Sequence, residues 1–330
     1  MNLRLFTRFP LILSLFTLVA CATPQERARV KLGQMNVKYN EGSFVERARA
    51  GDVSAVDLFL EAGMSPNVTN ERGETPLVEA ARYGGQTVVR LLLKKGADPN
   101  VKEPRYGGTP LMWASVGGFN DIVKLLLDKG ADVNATNAKN GMTALMSAAL
   151  WGKAGATELL LAKGADVNAT DNINRTALIL AAHYGRADAA GLLLDHGADP
   201  AIKEKVKGMN ALIAAADTGK IDVVTLLLDK GADVNAVDNQ GGTPLMWAAQ
   251  NGRNDVLALL LEKGAEVNAK DQDGKTALDL AREYGQEDAE ELLVKAGARG
   301  KEDEAQEENG VQKPAGRAPA ESAAPAKANK

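Results

Sequence analysis

The residues able to do chemistry are few. One cysteine, Cys21, stands in 330 residues, at the end of the apolar run LSLFTLVAC, and only His183 and His196 accompany it. A lone thiol excludes an internal disulfide framework. One thiol and two imidazoles fall short of the usual His/Cys zinc set. Gly274-Lys275-Thr276 has the ending of a phosphate-cradling loop, but that loop needs a glycine where Ala269 stands. Asp271-Gln272-Asp273-Gly274 hints at a calcium loop, yet the first and last ligand positions would be Ala269 and Leu280. No Gly-x-Ser-x-Gly turn occurs to present a nucleophile. His183 has no serine or cysteine with a claim to sit beside it, and reads as a groove-lining side chain. The expectation is no metal, no cofactor and no enzyme.

The role of Cys21 turns on the segment that precedes it. Arg4 and Arg8 precede an apolar run from Phe9 to Ala20. That run is too short for a spanning helix, which needs about 20 apolar residues, and suits the core of a secretory signal. Three ends are open to it: modification at Cys21, ordinary cleavage after Ala20-Cys21-Ala22 that leaves Thr23 first, or an uncleaved anchor. Leu18-Val19-Ala20-Cys21 resembles the bacterial lipoprotein signal. The resemblance implies a diacylglyceryl thioether on Cys21, cleavage before it, and acylation of its amine by a fatty acid such as palmitate. Each buried methylene contributes about 0.8 kcal/mol, so such an anchor is permanent. By the same resemblance Ala22, where an aspartate would favour the inner membrane, points to the outer membrane and the periplasm.

The elements that carry the rest of the chain repeat. A glycine closes a leucine-rich run at 63, 96, 130, 164, 197, 231, 264 and 297. Thr75, Thr109, Thr143, Thr176, Asn210, Thr243 and Thr276 keep the same beat, nearly always before Pro-Leu or Ala-Leu. Threonine or asparagine caps a helix, and proline suits its first position. Alanine pairs such as Ala80-Ala81 and Ala148-Ala149 let first helices approach closely. Val89, Leu92 and Leu93 give a second helix its apolar face, and Gly96 suits the left-handed position after it. Asn67-Val68-Thr69, Asn134-Ala135-Thr136, Asn168-Ala169-Thr170 and Asn174-Arg175-Thr176 match the glycosylation pattern, but they recur because asparagine and threonine hold repeated turn positions.

This helix-turn-helix-hairpin unit resembles the ankyrin repeat, above all from Asp238-Asn239-Gln240-Gly241-Gly242-Thr243-Pro244-Leu245 to Gly264-Ala265-Glu266-Val267-Asn268-Ala269. The resemblance implies an all-α repeat solenoid of about eight units over residues 40–300, with atypical capping repeats at Gly42–Thr69 and Asp271–Gly300. The family usually has histidine after Thr-Pro-Leu. Val78, Met112, Met146, Ile179, Ile213, Met246 and Asp279 stand there, so apolar packing is expected instead. Three repeats, near Glu103, Asn137 and Glu204, carry one extra residue in the hairpin.

In that family the first helices line the concave, partner-facing side. Six of the eight tyrosines and tryptophans fall there. Tyr83, Trp151, Tyr184 and Tyr284 precede the glycine that closes the first helix, whereas Trp113 and Trp247 share the string TPLMWA. The implied partner face comprises Arg82, Tyr83, Trp113, Trp151, His183, Tyr184, Asp217, Thr218, Trp247, Gln250, Asn251 and Tyr284, with Glu283 beside them. Packing is the stronger expectation for Trp113 and Trp247, and contact with a partner for Tyr83, Trp151 and Tyr184. Arg72, Arg105, Tyr106, Lys139, Lys205 and Gln240 mark the hairpin tips.

The formal charge of −4 lacks the footprint of a nucleic-acid binder. Residues 301–330 are a charge block followed by Ala, Pro and Lys, which cannot bury enough apolar surface to order. The expected division is a signal peptide over 1–20, a linker over 21–39 after lipidated Cys21, the solenoid over 40–300 and a disordered tail. The expected function is a monomeric, membrane-tethered scaffold of the cell envelope that binds another protein. The alternative is an envelope inhibitor or immunity-type protein that caps a toxin or hydrolase.

Overall fold

The computed structural model describes residues 23–301. The signal segment and Cys21, and the tail after Lys301, lie outside the described residues. Those residues form seventeen α-helices and no strand. A single helix, α1 (Pro24–Gln34), precedes eight helix pairs. The first helices are α2 (Glu41–Arg49), α4 (Pro76–Arg82), α6 (Pro110–Gly117), α8 (Ala144–Leu150), α10 (Ala177–His183), α12 (Ala211–Thr218), α14 (Pro244–Gln250) and α16 (Ala277–Glu283). The second helices are α3 (Val53–Glu61), α5 (Gln86–Lys94), α7 (Asn120–Asp128), α9 (Ala154–Ala162), α11 (Ala187–Asp195), α13 (Ile221–Asp229), α15 (Asn254–Glu262) and α17 (Glu287–Lys295).

Seven of the eight first helices start where the sequence places a cap, and α2 starts after Asn40, whose side-chain oxygen accepts the Ser43 N–H at 2.8 Å. The Thr75 hydroxyl accepts the Val78 N–H at 3.3 Å, and the same bond recurs at Thr109, Thr143, Thr176, Thr243 and Thr276. In the remaining one of the seven the Asn210 side-chain oxygen accepts the Ile213 N–H at 2.9 Å. The residues that stand in place of histidine, from Val78 to Met246, are buried. Two contribute a further cap: the sulfurs of Met112 and Met246 accept the N–H groups of Thr109 and Thr243.

First helices pack on first helices and second helices on second helices, each pair against its neighbours. Paired alanines at 80–81, 148–149, 181–182, 215–216 and 248–249 are fully buried between the first helices, where a larger side chain would force them apart. Leu92, Leu126, Leu160, Leu193, Leu227, Leu260 and Leu293 continue one apolar core through the second helices.

The solenoid begins earlier than residue 40. Much of the expected linker is α1, whose Thr23 and Glu26 form a reciprocal capping box. Ala28 and Leu32 are buried where α1 packs on α3. Tyr39 stacks on Phe59 with ring centroids 5.8 Å apart and donates its hydroxyl to Ala62 O. The first pair has no preceding repeat, so α1 covers the flank that Val56 and Phe59 would otherwise expose to water. At the other end, α17 buries only Ala289 and Leu293 and turns Glu287, Asp288 and Glu291 to solvent, as a terminal repeat must.

The hairpins are tight turns, each closed by a backbone bond such as Asp238 N–H to Gly242 O at 3.0 Å, and most by a second within it such as Gly241 N–H to Asp238 O at 3.3 Å, without a strand ladder. Their first residue carries a carboxylate or amide matched to turn length. In the shorter turns Asn70, Asp171, Asp238 and Asp271 each accept two backbone N–H groups, two and four residues on. Two of the three turns with an extra residue use glutamate. Glu103 reaches the N–H groups of Arg105, Tyr106 and Gly108, and Glu204 those of Val206, Lys207 and Met209. One more methylene spans one more residue.

An asparagine ladder joins successive repeats. Asn67 accepts the Asp98 N–H and donates to Gly96 O, and Asn100, Asn134 and Asn168 repeat both bonds one unit further on. Asn235 and Asn268 accept from Glu266 and Arg299 in the same way. The rung between these two sets is missing, because Ala201 holds the asparagine position.

Candidate protein-binding face

Tyr83, Trp151, Tyr184 and Tyr284 are the C-cap residues of α4, α8, α10 and α16, one place beyond the helices proper. The glycine that follows each has a positive φ, between 62° and 78°, which turns the chain sharply toward the second helix. The four rings remain 49%, 53%, 47% and 52% exposed in that order, unusual for large side chains in a fold this well packed. The row is interrupted by Gly117, Thr218 and Asn251 at the same register.

The other expected residues divide by what they touch. His183 and Tyr184 are both exposed and meet edge to face at 4.8 Å. Thr218 is tied inward: its hydroxyl lies 3.0 Å from His183 O and 2.9 Å from Ala214 O. Asn251 donates to Asp217 across the repeat boundary and to Trp247 O within its own helix. Gln250 is half-buried. A groove of about 270 Å³ brings Trp151 together with Gly152, Gly185, Arg186 and Asp188.

Trp113 and Trp247 are half-buried, as packing residues would be, but the identical strings around them do not make identical sites. Trp247 donates its indole N–H to Asp238 Oδ2 at 2.8 Å, and Lys207 Nζ lies 4.6 Å from its ring centroid. The corresponding carboxylate near Trp113 is Glu103, which is committed to three backbone N–H groups. The Trp113 N–H is therefore buried without a partner. Arg82 stacks over Trp113 at 3.8 Å, and Tyr106 meets its edge at 6.4 Å.

Several contributors escaped the sequence reading. Glu79 is only 1% exposed on α4, with Arg82 at 3.2 Å and Arg49 at 4.0 Å. Burial pushes its carboxyl above the usual range, and Arg82 offsets part of that rise. Arg49 lies 4.4 Å over the Tyr83 ring and donates to its hydroxyl at 2.5 Å. Lys153, Arg186, Lys220 and Arg253 hold the position after the turn glycine, one per repeat. Their stems cross Gly118, Gly152, Gly185 and Gly219 of the preceding repeat, where a Cβ would come within 2.8–2.9 Å. The recurrent Gly-Lys and Gly-Arg pairs were visible in the sequence. The position of Arg49 and Glu79 in one cluster was not, since it depends on how two repeats register.

Capped helix pairs in two layers, joined by turns and an asparagine ladder, with half-exposed rings at one recurrent register beside the first helices, define an all-helical repeat solenoid. The family model of ankyrin repeats matches residues 45–137, 136–204, 200–271 and 238–303. The chain belongs to the ankyrin-repeat family. No curated protein matches the sequence.

Proposed function

We propose that this chain is a lipid-tethered scaffold of the bacterial cell envelope. Cys21 holds it to the membrane, with the outer membrane and periplasm as its setting, and another protein binds across the first-helix face and the hairpin tips. The carrying observation is the row of half-exposed rings, Tyr83, Trp151, Tyr184 and Tyr284, on a repeat fold whose members generally bind proteins. Tyrosine, tryptophan and arginine are enriched in binding hot spots, and the two aromatic residues bury large areas at small entropic cost. The groove beside Trp151 is open and shallow, suited to a protein side chain rather than to enclosing a substrate.

The tether has its own test. Cys21→Ser in the full chain is expected to move the protein from the membrane fraction to the soluble fraction and to remove the mass of the acyl groups. An intact parent protein with an unlipidated Thr23 at its start would overturn the tethered reading.

A further inference from the structure

We propose that the first three repeats and the tip of the fourth carry a docking site for an acidic segment of the partner. The proposal rests on the protein-binding reading above and names the chemistry that one part of the face selects. Four of the six cation–ring pairs among the described residues lie here: Arg49 on Tyr83, Arg82 on Trp113, and Arg105 and Lys139 on Tyr106. They form one chain of contacts, because Arg82 follows from α4 directly into Tyr83, and Trp113 meets Tyr106 at 6.4 Å. The cluster runs from the C-terminal end of α2, across α4 and α6, to the tips of the turns that begin at Glu103 and Asn137.

Two of its three nearest acids are turned inward, and the third, Glu74, is half-buried and accepts from the Asn70 amide. Glu79 is buried beneath Arg49 and Arg82, and Glu103 is buried with its carboxylate engaged by backbone N–H groups. Arg49, Arg105 and Lys139 stay exposed, so the outer layer of the cluster is positive. The chain as a whole is not: residues 23–150 hold 16 Lys and Arg against 14 Asp and Glu, whereas residues 151–301 hold 17 against 23. A cationic surface at one end of a negative molecule draws a partner's carboxylates to that end and sets the direction in which it lies. The guanidinium groups are held against rings before the partner arrives, which lowers the ordering cost of binding.

A protein segment fits this site better than a single-stranded nucleic acid. Bases need free aromatic faces to stack on, and here Tyr83, Trp113 and Tyr106 are already covered by cations. The acidic second half of the solenoid would also repel a long polyanion.

The test titrates the full chain with labelled decaglutamate and with a ten-nucleotide oligothymidylate. Decaglutamate is expected to bind, more weakly as salt rises. The triple variant R49E/R105E/K139E is expected to lose about tenfold in affinity, or about 1.4 kcal/mol. R105E/K139E, which alters only turn tips, should lose part of it. The control K163E/K230E, at exposed ends of the second helices α9 and α13, should change affinity less than twofold. Melting curves identify any variant that fails to fold, in which case the tip pair decides the matter. The proposal falls if decaglutamate does not bind, if the control loses as much as the triple variant, or if the oligonucleotide binds more tightly. If partner contact at Trp151 and Tyr184 survives while the acidic peptide fails, the scaffold reading stands and only its acidic partner is lost.

Discussion

At the scale of single residues, the sequence made the caps legible and left the buried charge hidden. Thr75 and its equivalents announce themselves because a capping hydroxyl acts on a neighbour three residues away. Glu79 gives no such sign, since its surroundings come from α2 and from the turn that begins at Glu103 as well as from its own helix. Its carboxyl is pushed above the ordinary 4.5, first by burial and further by the nearby Glu74 and Glu103, with Arg82 and Arg49 opposing. The folded chain therefore holds this proton more tightly than the unfolded chain does. Stability from this group is full below the ordinary value and is lost as pH rises through the raised one. Glu79→Gln keeps the shape and removes the buried charge. Thermal melts from about pH 4 to pH 8 should show the variant more stable than the parent near neutrality, with the gap closing in acid. A parent that is the more stable protein near pH 7 would mean that the pairing with Arg82 outweighs desolvation. Trp113 makes the same point about local sequence: TPLMWA is shared with Trp247, yet a turn longer by one residue takes away the carboxylate that would accept its N–H.

At the scale of elements, periodicity located the helices because each unit repeats its cap, its apolar run and its glycine. It did not reveal α1, which has no partner helix and no repeat signature; its Thr23–Glu26 capping box was a local sign of a helix start, and the burial of Ala28 and Leu32 against α3 shows where it packs. The asparagines of the turns were legible as a recurrent position, but their bonds to the next repeat required coordinates. Ala201 offers a direct test. Its own N–H is held by Asp199 Oδ1 at 2.8 Å, as Asn100 and Asn168 are held by Asp98 and Asp166, so the turn has the same shape. Ala201→Asn should restore bonds to Gly231 and Asp233 and stabilise the solenoid by about 1 kcal/mol in urea unfolding. Asn168→Ala should cost about as much. An Ala201→Asn protein no more stable than its parent would show that the ladder contributes little.

At the scale of the whole molecule, stacked pairs make a long face from short helices, and the binding reading depends on that face rather than on any one pocket. Salt bridges join the ends of successive second helices, Lys163 to Asp128, Lys230 to Asp195 and Lys263 to Asp229, away from the first helices that carry the rings. Lysine hydrogen bonds hold the carboxyls of Asp128 and Asp195 below their usual range, and Asp229 holds the Lys263 ammonium above its own. These charges serve one another, whereas the rings of Trp151 and Tyr184 face water. The most direct measurement is photocrosslinking in intact cells of the native host, with a photoreactive residue placed at Trp151 or Tyr184 and, as controls, at Lys163 or Lys230. A discrete protein adduct from the first two positions and none from the second two is the predicted result. Adducts of equal yield from both sides, or from the lysine positions alone, would contradict it.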